Sequence, residues 1–334
     1  MNLILTPLCN KNCKNCFAKG YRNSEKENLD LEFLNKFPEW DKESSPDIGL
    51  LGGEPTLNPL FFNFIEKLWD LNYVPLVFSN FLFEEEFLAK LKLFILKNFS
   101  RDLKFLININ ELEEASFNKV LKNINSIAKT LELIEKQNKL SLSLTLDPLE
   151  NEKTLDYLSL LYKELDIPFR LRIGIALPSD LEKESLYKKY INNKKLGEII
   201  VKILKWSLNQ KIEIFWDCGI YPCFFSKEDL LVFETLYPKF EYKCKNAAFD
   251  ILPSGHAIYC FPLKDQISSP IFLNKDVKIN KSFIDFKKTE ENLNKKFQKV
   301  EENLFCLDCR ICEYYSSGIC DGVCPALLKK DIAL

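Results

Sequence analysis

Residues 9–17 read Cys9-Asn10-Lys11-Asn12-Cys13-Lys14-Asn15-Cys16-Phe17, three thiols separated by three residues and then by two. They follow directly on the apolar run Leu3-Ile4-Leu5, so the spacing puts all three into one loop at the end of a strand. A four-iron cluster takes one thiolate per iron. This loop offers three, which leaves one iron open to a further ligand, as a reactive cluster requires and an electron store does not. On this stretch alone, a zinc site or a core loop built with the same three cysteines stays open as the alternative.

Cysteine usage along the whole chain narrows the choice. Of twelve cysteines in 334 residues, three fall in the first sixteen and the other nine lie between Cys218 and Cys324. No signal peptide precedes Cys9, and no apolar run is long enough to span a bilayer, so a cytoplasmic location is expected. The cytosol keeps thiols reduced, and cysteines gathered at both ends of a reduced chain point to metal at both ends. A net charge of −2 argues against nucleic-acid binding through bulk charge. With 46% hydrophobic and 28% charged residues, a large packed core is available.

From Leu3 to about Pro178 short apolar runs alternate with stretches of helical period. Strands are expected at Leu3–Leu8, Asp47–Leu51, Val74–Ser79, Leu103–Asn108, Leu140–Leu146 and Phe169–Leu177. Helices are expected at Leu31–Phe37, Asn58–Leu71 (Asn58 as cap, Pro59 first in the helix), Glu84–Lys97, Glu114–Lys136, Asn151–Leu165 and Leu196–Asn209. Strand–helix alternation on this scale predicts an α/β fold with a parallel sheet. Six units are too few for a closed eight-fold barrel, so a partial, TIM-like (β/α)6 barrel is expected, with its chemistry at the C-terminal strand ends.

Gly52-Gly53-Glu54-Pro55 follows the second strand. Paired glycines let backbone approach a ligand closely, and the Glu54 carboxylate can accept from an ammonium group. Together with the three-cysteine loop, this stretch resembles the radical S-adenosylmethionine (SAM) enzymes. The resemblance implies a SAM-binding 4Fe-4S cluster on Cys9, Cys13 and Cys16, with Gly52, Gly53, Glu54 and Pro55 at the SAM amino group. It further implies Ser79 and Asn80 at the ribose. Arg172, favoured over Arg170 by strand alternation, is a candidate for the SAM carboxylate, and Ile175 with Leu177 for the adenine. Asn15 departs from the family, which usually places an aromatic residue before the third cysteine.

The C-terminal third holds Cys218, Cys223, Cys244, Cys260, Cys306, Cys309, Cys312, Cys320 and Cys324. Ser254-Gly255 makes a tight hairpin turn between Phe249–Leu252 and Ala257–Phe261, and His256, the single histidine, reads as a solvent-facing turn residue. The spacing Cys244-x10-Gly255-x4-Cys260, then Cys309-x2-Cys312 and Cys320-x3-Cys324, resembles the SPASM extension of radical SAM enzymes, which carries two auxiliary 4Fe-4S clusters. By that likeness Cys244, Cys260 and Cys324 hold the first, with Cys223 or Cys218 as fourth ligand, and Cys306, Cys309, Cys312 and Cys320 hold the second. Two domains follow, a barrel over 1–210 and an auxiliary-cluster domain over 211–334. Structural zinc sites are the alternative.

The resemblance implies one-electron cleavage of SAM to a 5′-deoxyadenosyl radical that takes a hydrogen from a peptide substrate. The expected outcome is maturation of a ribosomally made peptide by crosslinking, epimerisation or oxidation. A low-potential donor (flavodoxin or ferredoxin) is implied as partner. Because the chain starts at its first strand, leader recognition is expected from a separate protein or from the barrel and C-terminal region. A sulfatase-type protein maturase is the first alternative, although Phe261 stands where those enzymes carry an acidic residue. A non-catalytic iron–sulfur or zinc protein is the second.

Overall fold

The structure, a computed structural model, describes the chain except residues 25–26, 40–45, 111–113, 137–138, 148–153, 166–167, 178–193, 218, 239, 243–247, 277–280, 304–306 and 329–334. Cys218, Cys244 and Cys306 therefore lie outside the described residues. Strand β1 (Asn2–Thr6) opens a series in which strands and helices alternate: α1 (Lys19–Ser24), β2 (Asp47–Gly52), α2 (Phe61–Asp70), β3 (Val74–Ser79), α3 (Glu85–Lys97) and β4 (Lys104–Asn108). It continues through α4 (Glu114–Glu132), β5 (Leu140–Leu146), α5 (Thr154–Glu164), β6 (Arg170–Ile175), α6 (Lys195–Gln210) and β7 (Ile214–Trp216). These seven strands are parallel and adjacent in chain order.

The sheet extends past the six expected units at both edges. Beyond β6 lies β7, and on the far side of β1 lies β8 (Asp250–Ile251), parallel to it and followed by antiparallel β9 (His256–Ile258) and β10 (Ser268–Pro270). Leu3 sits between Leu50 of β2 and Ile251 of β8, all three fully buried. Parallel strands covered on both faces bury nearly every residue, as Leu3, Ile4 and Leu5 do in β1. A separate antiparallel pair, β11 (Leu273–Asp276) and β12 (Lys281–Ile284), leads into α7 (Phe286–Asn303).

Helix α2 buries Phe61, Phe64, Ile65, Leu68 and Trp69, the one-sided stripe of an amphipathic helix packed on a sheet. Its start differs from expectation. Asn58 does not cap it: its side chain accepts from the Leu60 N–H at 2.8 Å and donates to the Leu5 carbonyl at 2.8 Å, so the amide ties the entry of α2 to β1. The expected helix at Leu31–Phe37 is a 3-10 turn over Leu31–Lys36, opened by Asp30. One main core runs from Leu3 through Leu293, Phe297 and Leu327, on both sides of residue 210. Among the described residues no helix is long and apolar enough to cross a membrane.

The β1–β8 junction carries a titratable group. Asn2 Nδ2 donates to Asp250 Oδ1 at 2.6 Å, and burial pushes the Asp250 carboxyl up to about 6 against the pull of that amide. A carboxyl raised in the folded state binds its proton more tightly there than in the unfolded chain, whose Asp titrates near ~3.9. Its contribution to stability is therefore full below about pH 4 and lost as pH rises through 6. Asp250→Asn should remove this slope, so that the stability of the variant relative to wild type increases between pH 4.5 and 7 in chemical denaturation. A difference that stays flat across this range would contradict the assignment.

Candidate functional site

The C-terminal ends of β1 to β6 point to one edge of the sheet, and the cysteine loop lies across it. Gly53 N–H donates to the Thr6 carbonyl at 2.8 Å and Glu54 N–H to the Leu8 carbonyl at 2.7 Å, so the Gly-Gly-Glu segment zips onto the chain entering the loop. A Cβ on Gly53 would stand 2.2 Å from the Leu8 oxygen, and one on Gly52 2.4 Å from the Thr6 oxygen. The close approach that requires both glycines is to this chain's own backbone, rather than to a ligand alone.

Glu54 differs from expectation in the same direction. Its carboxylate is 1% exposed. It accepts from Ser79 Oγ at 2.9 Å, the Asn80 N–H at 2.8 Å, and Thr56 through Oγ1 at 2.8 Å and N–H at 3.4 Å. Burial pushes its pKa up, and these donors pull it back. The side chain is spent on joining β2 to β3. Ser79 is spent likewise, donating to Glu54 and accepting from the Phe81 N–H at 3.0 Å. Asn80 reaches the cysteine loop: Nδ2 donates to Asn10 Oδ1 at 2.8 Å and lies 3.9 Å from Cys9 Sγ. Behind them Phe81, fully buried at φ 57°, is clamped by buried Asn123, which donates to the carbonyls of Phe81 and Phe83.

The polar spacers of the loop explain its sequence. Asn10 donates to the Leu82 carbonyl after β3, the Lys11 ammonium donates to the Asn110 carbonyl after β4, and Asn15 donates to Asp147 after β5 at 3.1 Å. Asn110 in turn accepts from the Thr145 N–H at 2.6 Å. Asn15, the departure from the family pattern, is thus a tether to the fifth strand. Arg22 of α1 closes the loop from the other side, with Nη2 on the Lys11 carbonyl at 2.8 Å and Nη1 at 3.8 Å from Cys16 Sγ. The sequence reading missed Arg22, although its place one turn beyond Ala18, whose carbonyl receives its N–H, is local information.

A small second core lies beneath the loop: Ile4, Ala18, Tyr21, Ile258 and Phe261, with Cys16, Leu51 and Leu252 against it. Phe261, 5% exposed, packs on Phe17 and Tyr21 at centroid distances of 5.5 and 5.4 Å. The residue after Cys260 therefore fastens the hairpin to the loop. His256 is exposed, as expected.

On β6, Arg170 and Arg172 are two residues apart and share a strand face, so alternation does not separate them. Depth does. Arg170 lies at the outer end, exposed and paired with Glu213, while Arg172 is further in. Arg172 is held by Asp217 at 2.6 Å and lies over the Phe78 ring at 6.0 Å, so its guanidinium already has a carboxylate partner. Ile175, 4% exposed, belongs to the main core with Leu171 and Ile173.

Cys9, Cys13 and Cys16 are half-buried thiols carried by one loop. Burial pushes the Cys9 thiol up, and the Lys11 N–H and Arg22 oppose this. Among the described residues no three His, Cys, Asp or Glu side chains converge as ligands of a single ion. Thiolates that each hold a different iron of a cluster need not converge in that way. The donor set fits an iron–sulfur group, and one observation supports the fit: Arg22 Nε is buried beside these thiols with no acceptor among the described residues. In the C-terminal third, Cys309, Cys320 and Cys324 are buried, and Cys223, Cys260 and Cys312 are half-buried. Burial and then the neighbouring Cys309, Cys320 and Cys312 push the Cys223 thiol up to about 12. Cys223 thus keeps company with those three cysteines.

Glu54→Ala should leave buried Ser79 and Asn80 donors without acceptors and cost about 3 kcal/mol in urea unfolding. A loss below about 1 kcal/mol, the scale of an ordinary single hydrogen bond, would show that the knot is dispensable.

No family model matches the sequence, and no curated protein matches it. Solved structures do. Over 98% of this chain and 74% of the other, it superposes on SuiB of Streptococcus suis bound to S-adenosylmethionine, with a TM-score of 0.58 and 13% identity. It also superposes on native anSMEcpe with bound AdoMet, over 97% and 89%, with a TM-score of 0.58 and 16% identity. A polyhistidine-tagged form of that protein with bound AdoMet gives the same score and identity over 97% and 85%. The chain shares the α/β fold of these S-adenosylmethionine-bound proteins.

Proposed function

We propose that this chain is a radical SAM enzyme acting on a peptide. The observation that carries the reading is the three-thiol loop, tethered through Asn10, Lys11 and Asn15 to the ends of β3, β4 and β5. A site held this way by the protein supports a cluster with one open iron. In this reading Cys9, Cys13 and Cys16 hold a 4Fe-4S cluster, and the main chain of Gly52–Pro55, rather than the occupied Glu54 carboxylate, meets the SAM ammonium. Bound there, cluster and SAM would supply a 5′-deoxyadenosyl radical able to take a hydrogen from substrate. Asn80 holds the loop at Cys9, and Phe17 with Tyr21 presses it against the hairpin.

Residues 211–334 are proposed as an auxiliary-cluster domain. The company of Cys223 supports a second auxiliary cluster on Cys223, Cys309, Cys312 and Cys320. Cys218, Cys244, Cys260 and Cys324 then remain for the first, and Cys306 becomes the ninth, spare thiol. The SPASM-like spacing supports a peptide substrate, matured by crosslinking, epimerisation or oxidation, with a flavodoxin or ferredoxin as electron donor. A sulfatase-type maturase is disfavoured, because Phe261 is packed among aromatic rings where an acid would be needed.

Iron, labile sulfide and zinc per chain, measured after anaerobic reconstitution, test the reading. Three clusters predict about twelve irons, falling to about eight when Cys9, Cys13 and Cys16 are all changed to Ala. About four irons with two zincs would reduce the C-terminal third to a scaffold. No iron would overturn the proposal.

A further inference from the structure

Resting on that reading, we propose that Arg22 is a positioning residue of the cluster loop: its guanidinium donates to the sulfur shell of the bound cluster and raises its reduction potential. The argument begins with donors. An arginine carries five N–H donors in a fixed plane and does not lose its charge. Nη2 is committed to the Lys11 carbonyl, between the first and second cysteines, and Nη1 faces Cys16 Sγ at 3.8 Å, beside the third. One planar group therefore spans the loop from spacer to thiol. Its Nε–H is buried and has no acceptor among the described residues.

A buried donor left without an acceptor loses its hydrogen bonds to water and gains none in return, and such orphans are uncommon in folded chains. Thiolate and sulfide sulfur would supply the missing acceptor. The ammonium groups of Lys11 and Lys19 do not compete for it, because the first is placed on the Asn110 carbonyl and the second on the Lys14 carbonyl. A cluster becomes more negative by one charge when it accepts an electron. Hydrogen bonds to its sulfurs, and a fixed cation beside them, favour the reduced form and move the potential upward. Arg22 is held by its helix: its N–H bonds to the Ala18 carbonyl, and Ala18 and Tyr21 are buried in the small core with Phe261.

The test compares the full-length reconstituted chain with Arg22→Met and Arg22→Lys. Iron per chain is measured, and an EPR-monitored redox titration follows the signal that added SAM perturbs, which singles out the cluster with the open iron. The expected result is full iron content, a clearly lower midpoint for Arg22→Met, and an intermediate midpoint for Arg22→Lys, which keeps the charge and loses the fork. Full iron with an unchanged midpoint in Arg22→Met overturns the proposal. If Arg22→Met loses the loop's iron, the titration of Arg22→Lys decides: a lowered midpoint supports the assignment and an unchanged one overturns it. A wild-type chain without any SAM-sensitive signal would overturn the functional reading instead, a different result from either.

Discussion

The buried Glu54 carboxylate is the knot on which the site depends. It accepts from Thr56, Ser79 and the Asn80 backbone, and its own N–H reaches the carbonyl of Leu8. An acceptor-only group taken out of water must find donors in the protein, and here they come from two segments, Thr56 just after β2 and Ser79-Asn80 at the end of β3. The requirement fixes where β3 ends, which way Asn80 faces, and where the chain leaves β1. The Ser79 hydroxyl and the Glu54 carboxylate, candidates for a ligand by sequence, bond to each other and shape the place where a ligand would sit.

The cysteine loop is built on the same economy. Its thiols are spaced by residues that bond to successive strand ends, and its far end is pressed by Phe17 and Tyr21 onto Phe261. Each contact is modest, and together they pin a nine-residue segment at several points. A loop so held loses little further entropy when it takes up a group, which is the advantage of preorganisation.

Much of the fold was legible because parallel strands buried on both faces read as continuous apolar runs. Val74–Ser79 and Leu140–Leu146 form the strands expected at those positions. The edges were not legible as parts of one sheet: β7 and β8 are three and two residues long, and β8 joins the sheet through β1, far away in sequence. Asn58 misled because an amide before a helix reads as a cap, whereas the Leu5 carbonyl that it serves is distant. Arg172 and Cys223 show the same limit. Residue type and spacing picked them out, but Asp217, and the three cysteines around Cys223, are partners that only the folded chain brings near.

The seam between β1 and β8 has a consequence for biosynthesis. Strand β1 is completed on one side by β2 and on the other by a strand some two hundred and fifty residues later. Until that late strand is made, β1 presents an open row of backbone donors and acceptors, the kind of edge that pairs with wrong partners. Contacts of such long sequence separation are also slow to close. The nascent chain therefore passes through a stage in which β1 is half covered, and this interval is when it is most exposed to aggregation and most in need of a chaperone.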